Sequence, residues 1–304
     1  MARTGRLTWC ILITALIFAL SPSHTSAEKT PEFEKLLKWY QSTFSFIEME
    51  DTVYTFESEY IFPEGFQRVD SVRLGQYAWW VSHFPLWHAW KPVAMWRGMR
   101  IYSAEEISRA VHLPWHGPTF SQDKIPYRIL AEYLRQNHRE FDLEILPKNG
   151  DPISYEKWLE GKPAISADGA VVFKPSEKRD TSAAEYYTML QFCCKQSNYA
   201  ALVRNCDSID AKDVLPGDLL VAHSETGKSG RVYVVLKMLE NGDRQRLYAV
   251  ATGCDQACDF YIPLVNEDRG NPWLSIEDVQ TLAGDLPYRG FFRFRSVTEE
   301  SLSQ

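Results

Sequence analysis

Apolar positions follow three patterns along the chain. Residues 7–20, LTWCILITALIFAL, are nearly uninterrupted. Several later segments repeat at the helical period of 3.6 residues. Thr30-Pro31 reads as a cap and first helical position, followed by Phe33, Leu36, Leu37 and Tyr40 on one face. Ser103 and Glu106 are spaced as a capping box before a short helix, EISRAVHL. Ile125, Ile129, Tyr133 and Leu134 predict a helix from about 123 to 138, with Pro126 tolerated in its first turn. Ser154 opens another, YEKWLEG. Ser182 and Glu185 repeat the box and begin a helix through about Cys194. Its Tyr186, Met189 and Cys193 share one stripe, and Tyr187, Leu190 and Cys194 the next.

The third pattern is extended. Residues 44–60 are rich in Phe, Thr, Val and Tyr, and IFPEGF (61–66) is a turn. LPGDLLVAH, RVYVVLKML (231–239), RLYAVATG (246–253), DFYIPL (259–264) and GFFRFR (290–295) read as strands. Asn241-Gly242 predicts a two-residue hairpin turn between the second and third. Helices first and a meandering sheet afterwards predict an α+β fold, its helical first half packed on an antiparallel sheet in the second half. A composition change puts the main domain at 61–295, after an N-terminal helix and extended segment at 28–60. The polar tail follows at 296–304.

Residues 1–6 carry two arginines and no acid, and SPSHTSA supplies small residues after the apolar run. Together they read as a signal peptide cut after Ala27. A helix of the 14 apolar residues at 7–20 would rise only about 21 Å, short of a bilayer core of about 30 Å. The expectation is an exported protein, periplasmic or extracellular, with no transmembrane segment after cleavage. The whole chain has 33 basic and 40 acidic side chains; without residues 1–27 it has 31 and 40, a balance of −9. That acidity and the absence of a basic block argue against nucleic acid. Five cysteines remain, at 193, 194, 206, 254 and 258. Export favours disulfides, but an odd number leaves one thiol over. Cys254 and Cys258 could close a small loop, and Cys206 could reach Cys193 or Cys194. A lone C-x-x-x-C pair without a nearby histidine does not make a zinc site, and Pro114 breaks any helix joining His112 to His116. No metal or cofactor is expected.

EGFQRVDSVRLGQYAWWVSHFPL, RILAEYLRQNH, YEKWLEGK and PGDLLVAHSETGKSGRVYVVLKM occur in an order and register that resembles a bacterial family, number 4846 among the domains of unknown function. The likeness spans about 61–295 and implies no assigned activity. A fainter resemblance joins the helix, the PGD strand and the following hairpin to NlpC-type papain-like hydrolases. It implies a papain-like sheet, with a cysteine at the helix start and a histidine beginning the second strand. Here Ser182 starts the helix and Gly230-Arg231 begins the strand. Arginine cannot act as a general base.

Candidate chemistry follows from these positions. Cys193 or Cys194 with His223 is the available nucleophile–base set, since a thiolate needs a base or cation to lower its pKa. Arg128 and Glu132 lie one helical turn apart, either as a surface ion pair or as an anion-binding arginine with its carboxylate. Arg231, and Trp158 of the YEKWLEGK segment, join them as ligand-binding candidates. Five of the ten tryptophans fall at 79, 80, 87, 90 and 96. This block, with His83 and His88, is either an aromatic core layer or the wall of a groove; Trp79 and Trp80 read as core, while Trp87, Trp90 and Trp96, among Pro, His and Lys, stay open between the two. The functional expectation is an exported bacterial envelope protein of unknown activity, binding or accessory, with a groove between the helical half and the sheet near Arg128, His223 and Arg231 and a cell-wall peptide or glycan as its candidate partner. The alternatives are a cysteine amidase or peptidase on cell-wall peptides, and a disulfide-stapled structural protein.

Overall fold

A computed structural model of the chain describes residues 31–49, 52–69, 75–114, 119–265 and 267–298. The expected signal peptide and most of the polar tail lie outside the described residues. The chain divides into two compact units, Met1–Trp39 and Tyr40–Gln304. Helix α1 (Pro31–Thr43) is the described part of the first and begins the second. The larger unit thus starts upstream of the composition change at 61–66. The reason is aromatic: Phe44 stacks on Trp80 at 5.3 Å and packs on Phe84 at 5.3 Å.

Helix α2 (Phe56–Glu59) replaces part of the extended segment expected at 44–60, because Thr55 and Ser58 form a reciprocal capping box. Strand β1 (Phe66–Arg68) and helix α3 (Gln76–Val81) follow. β2 (Val93–Ala94) and β3 (Arg100–Tyr102) form a hairpin. The Ser103–Glu106 box is real, yet it caps only a 3-10 turn at Ala104–Glu106. Ile107–Ala110 then run as strand β4, fully buried, where the sequence predicts a helix. Pairing with a later strand outweighs a local cap there.

Helix α4 (Ile125–Gln136), hairpin β5 (Glu144–Ile145) and β6 (Ile153–Ser154), helix α5 (Tyr155–Glu160) and hairpin β7 (Gly161–Ile165) and β8 (Val171–Pro175) come next. The first half is therefore mixed rather than helical. Helix α6 (Ala183–Lys195) is capped by Ser182 as expected, but the Glu185 carboxylate does not complete a box. It accepts from Trp158 Nε1 at 2.8 Å and Arg179 Nη1 at 3.2 Å instead. Helix α7 (Tyr199–Arg204) leads into the sheet strands β9 (Cys206–Ile209), β10 (Leu219–His223), β11 (Gly230–Asn241) and β12 (Arg246–Ala251). β13 (Tyr261–Pro263) leaves the sheet to pair with β4. Helix α8 (Ile276–Thr281) and β14 (Tyr288–Phe294) complete the set used below.

The main sheet is antiparallel, ordered β1-β11-β10-β14-β9, with β12 on β11. The fold is a mixture of helices and antiparallel sheet, as the α+β expectation requires. β11 organises it. One of its edges takes β10 and then β1, and the other takes β12. Side chains on a strand alternate between faces. Leu220, Ala222, Val235 and Phe291 pack in a cluster with Val279 of α8. The opposite face meets α4, where Phe294 lies 5.7 Å from Tyr127. The β11–β12 hairpin turns through Asn241–Gln245 with Arg244, not Gly242, at positive φ, so the loop is longer than the expected two residues. The PGD motif is a latch. Asp218 accepts from the Leu215 amide at 2.7 Å and from Arg293 Nε and Nη2 at 2.7 and 2.6 Å, which joins β10 to β14.

Candidate functional site

Arg128 and Glu132 sit one turn apart on α4, with side chains 1% exposed each. They are a buried ion pair, not a surface one. Glu132 also accepts the Tyr187 hydroxyl of α6, at 2.9 and 3.0 Å from its two oxygens. The guanidinium lies 4.8 Å over the Tyr187 ring and 5.7 Å over Phe120. Burial pushes the Glu132 carboxyl up and Arg128 down, and each partner opposes the shift of the other.

The expected nucleophile and base are not assembled. Cys193, Cys194 and Cys206 are buried free thiols, so the pairing expected between Cys206 and Cys193 or Cys194 is absent. Burial pushes Cys194 up to about 12, with Lys124 opposing, and pushes Cys193 well above its ordinary value. A thiol held there is not a nucleophile at neutral pH. Among the described residues neither thiol is hydrogen-bonded to a histidine. His223 stacks on Tyr288 at 5.2 Å, and its Nδ1 lies 2.7 Å from the Ser224 carbonyl oxygen.

Register separates His223 from Arg231. His223 is opposite Gly230 and Ala222 is opposite Arg231, so the two side chains project from opposite faces. Arg231 donates to the Leu282 carbonyl at 3.2 Å. A single groove joining Arg128, His223 and Arg231 is therefore corrected: Arg128 is buried, and the other two face apart. Trp158 is buried against Phe192 at 5.6 Å and under Arg179 at 4.3 Å. It holds the start of α6 rather than a groove.

The open space lies elsewhere. One cleft of about 700 Å³ is lined by Tyr102, Gln122, Arg231, Tyr233 and Tyr261. A second, of about 690 Å³, is lined by Trp96, Thr119, Lys124, Cys194 and Lys195. Both share Met95, Met99, Asp255 and Gln256, so they adjoin. Trp96 is 41% exposed, Met99 62% and Trp90 71%, while Trp80 is core. Trp79 is half-buried against the core, Trp96 lines the second cleft, Trp90 is exposed outside both clefts, and Trp87 stacks on His112 at 3.7 Å.

The wall between the clefts is built by two loops. The disulfide Cys254–Cys258 closes one. It is tied to the β2–β3 loop through the Trp96 amide, which donates to the Ala257 carbonyl at 3.0 Å. The Ala94 amide donates to Asp259 Oδ2 at 2.8 Å on the same side. Gln122 fixes the floor. Its Nε2 donates to Asp255 Oδ1 at 2.6 Å, and its Oε1 accepts from the Val232 amide at 3.2 Å. The small-loop disulfide is thus present, as the spacing allows. Apart from the Met-Trp-Arg-Gly-Met run around Trp96, nothing in the sequence patterns singles out Met95, Met99, Gln122, Asp255 and Gln256.

Among the described residues, no group of three His, Cys, Asp or Glu side chains could hold a metal ion, and no helix is long and apolar enough to cross a membrane. Brief alkylation of the folded chain at pH 7–8 is expected to leave Cys193, Cys194 and Cys206 unmodified, with full labelling only after denaturation. Mass spectrometric mapping checks this; rapid labelling of Cys194 would contradict its burial.

No curated protein and no solved structure matches the chain. The family described as Domain of unknown function (4846) matches residues 56–291, and the chain belongs to that family.

Proposed function

We propose that this is an exported envelope protein that binds a cell-wall fragment, peptide or glycan, without thiol chemistry. The observation that carries the reading is the pair of adjoining clefts walled by Trp96, Met95 and Met99. Clustered exposed apolar side chains beside convergent polar groups mark binding surfaces. Asp255 and Gln256 supply polar groups, and the disulfide holds their loop in place. The signal-like N-terminus and the bacterial family resemblance support export to the envelope. We extend the papain-like reading only to the arrangement of α6, α7 and the β10–β11–β12 meander, where Tyr199 packs against Gly230. The amidase alternative draws no support from thiols that are buried and protonated.

Calorimetric titration with soluble wall fragments, stem peptides and glycan chains separately, tests the proposal. Trp96→Ala is expected to weaken binding by roughly 30-fold, the effect of losing about 2 kcal/mol at a hot spot. No binding of either fragment class by the unaltered protein would end this reading.

A further inference from the structure

Buried hydrogen-bond donors almost always find acceptors, so those that do not call for a physical account. Arg128 is such a case. Its Nη2 faces Glu132 Oε1 as an ion pair. Among the described residues its Nε and Nη1 have no hydrogen-bond acceptor, although the side chain is 1% exposed. The Thr119 hydroxyl is likewise buried and unpartnered among the described residues.

These two belong to one neighbourhood. Thr119 lines the Trp96 cleft. Phe120, the next residue, lies against the Arg128 guanidinium. Lys124, the N-cap of α4, lines the same cleft one turn before Arg128. Cys194, also in the lining, lies on α6, whose Tyr187 stacks on the Arg128 guanidinium. Thr119 thus reaches the cleft directly, while the unused Arg128 donors lie behind Phe120, just outside its lining. Arg97, Lys124 and Lys195 face the single acid Asp255 in its lining, which favours an anion.

We infer that Thr119, Lys124 and Arg128 form a subsite for the carboxylate of a peptide-like ligand bound in the Trp96 cleft. The inference rests on the cleft being the ligand site. A carboxylate brings two acceptor oxygens, which suits an arginine N–H together with the Thr119 O–H. It also brings one charge. With Glu132 offsetting Arg128 and Asp123 offsetting Lys124, Arg97 and Lys195 against Asp255 leave the lining one positive charge, which a carboxylate neutralises and a dianionic phosphate exceeds. Entry turns the Phe120 ring away from the guanidinium.

The test compares N-acetylalanine, N-acetylalaninamide and inorganic phosphate on the full chain, by calorimetry and thermal melting. The acid is expected to bind about tenfold more tightly than the amide, the effect of one charge-assisted hydrogen bond. Arg128→Lys keeps the charge and is expected to abolish that preference. Thr119→Val leaves the ion pair alone; it is expected to weaken acid binding several-fold without moving the melting temperature of the free protein. Should Arg128→Lys fail to fold, Thr119→Val carries the test. Equal binding of acid and amide, tighter binding of phosphate, or an acid preference unchanged by Thr119→Val would each overturn the inference. A wall fragment that binds equally well as acid or amide, yet loses affinity in Trp96→Ala, would leave the cleft as ligand site and overturn the subsite alone.

Discussion

Glu132→Ala is expected to destabilise the fold by about 3–5 kcal/mol, because it leaves a buried guanidinium without its counter-charge. Arg128 lies between Phe120 and Tyr187 with its side chain 1% exposed, so in the free protein Glu132 rather than solvent offsets its charge. The same change also strands the Tyr187 hydroxyl, which loses its carboxylate acceptor. Urea denaturation measures the effect as a lower midpoint at unchanged slope. The double variant Arg128→Met, Glu132→Leu separates charge from packing. It removes both ions and keeps the volume, so it should recover most of the loss. A single-variant cost below about 1 kcal/mol would mean that water reaches the pair, since that is the range of solvent-exposed ion pairs.

Trp80→Ala is expected to cost about 3–5 kcal/mol, the range for emptying a large buried aromatic site. Trp80 packs against Phe44, Phe84 and Tyr133, with ring centres 5.3, 4.9 and 5.5 Å away. These rings come from the chain just after α1, from α3, from the chain after α3, and from α4, so the cavity would loosen four segments together. Trp80→Phe keeps part of the contact and should cost less. The same urea midpoints check both. Equal costs for the two variants would place the effect in the indole N–H, which donates to the Thr43 carbonyl at 3.4 Å, rather than in ring packing.

Local chemistry announces itself in sequence, and distant pairing does not. The helices at α4, α5 and α6 were legible because a cap and an apolar stripe are written within a dozen residues. The strand at β4 was not. Its partner β13 lies about 150 residues later, and the local capping box pointed to a helix. Burial of Arg128 and Glu132 was hidden for the same reason, since α6 and Phe120 enclose them. The opposed faces of His223 and Arg231 follow from a strand register that no single segment contains. The cleft was half legible. Trp96 could be read as a groove residue, but its opposite wall is the disulfide loop more than 150 residues away.

The path of β11 has a consequence for how the protein folds. Phe66 in β1 pairs with Asn241 at the end of β11, and β14 enters the sheet only at Tyr288. Such long-range contacts are the slow kind to form, because the loop must close before any contact offsets its entropy. A chain emerging N-terminus first during synthesis would present β1 and the aromatic residues of α3 long before their sheet partners. Until β14 arrives, the apolar face of the sheet stays open to misassociation. Emergence of the chain, more than stability of the finished fold, is then the stage at which a holding chaperone would matter most.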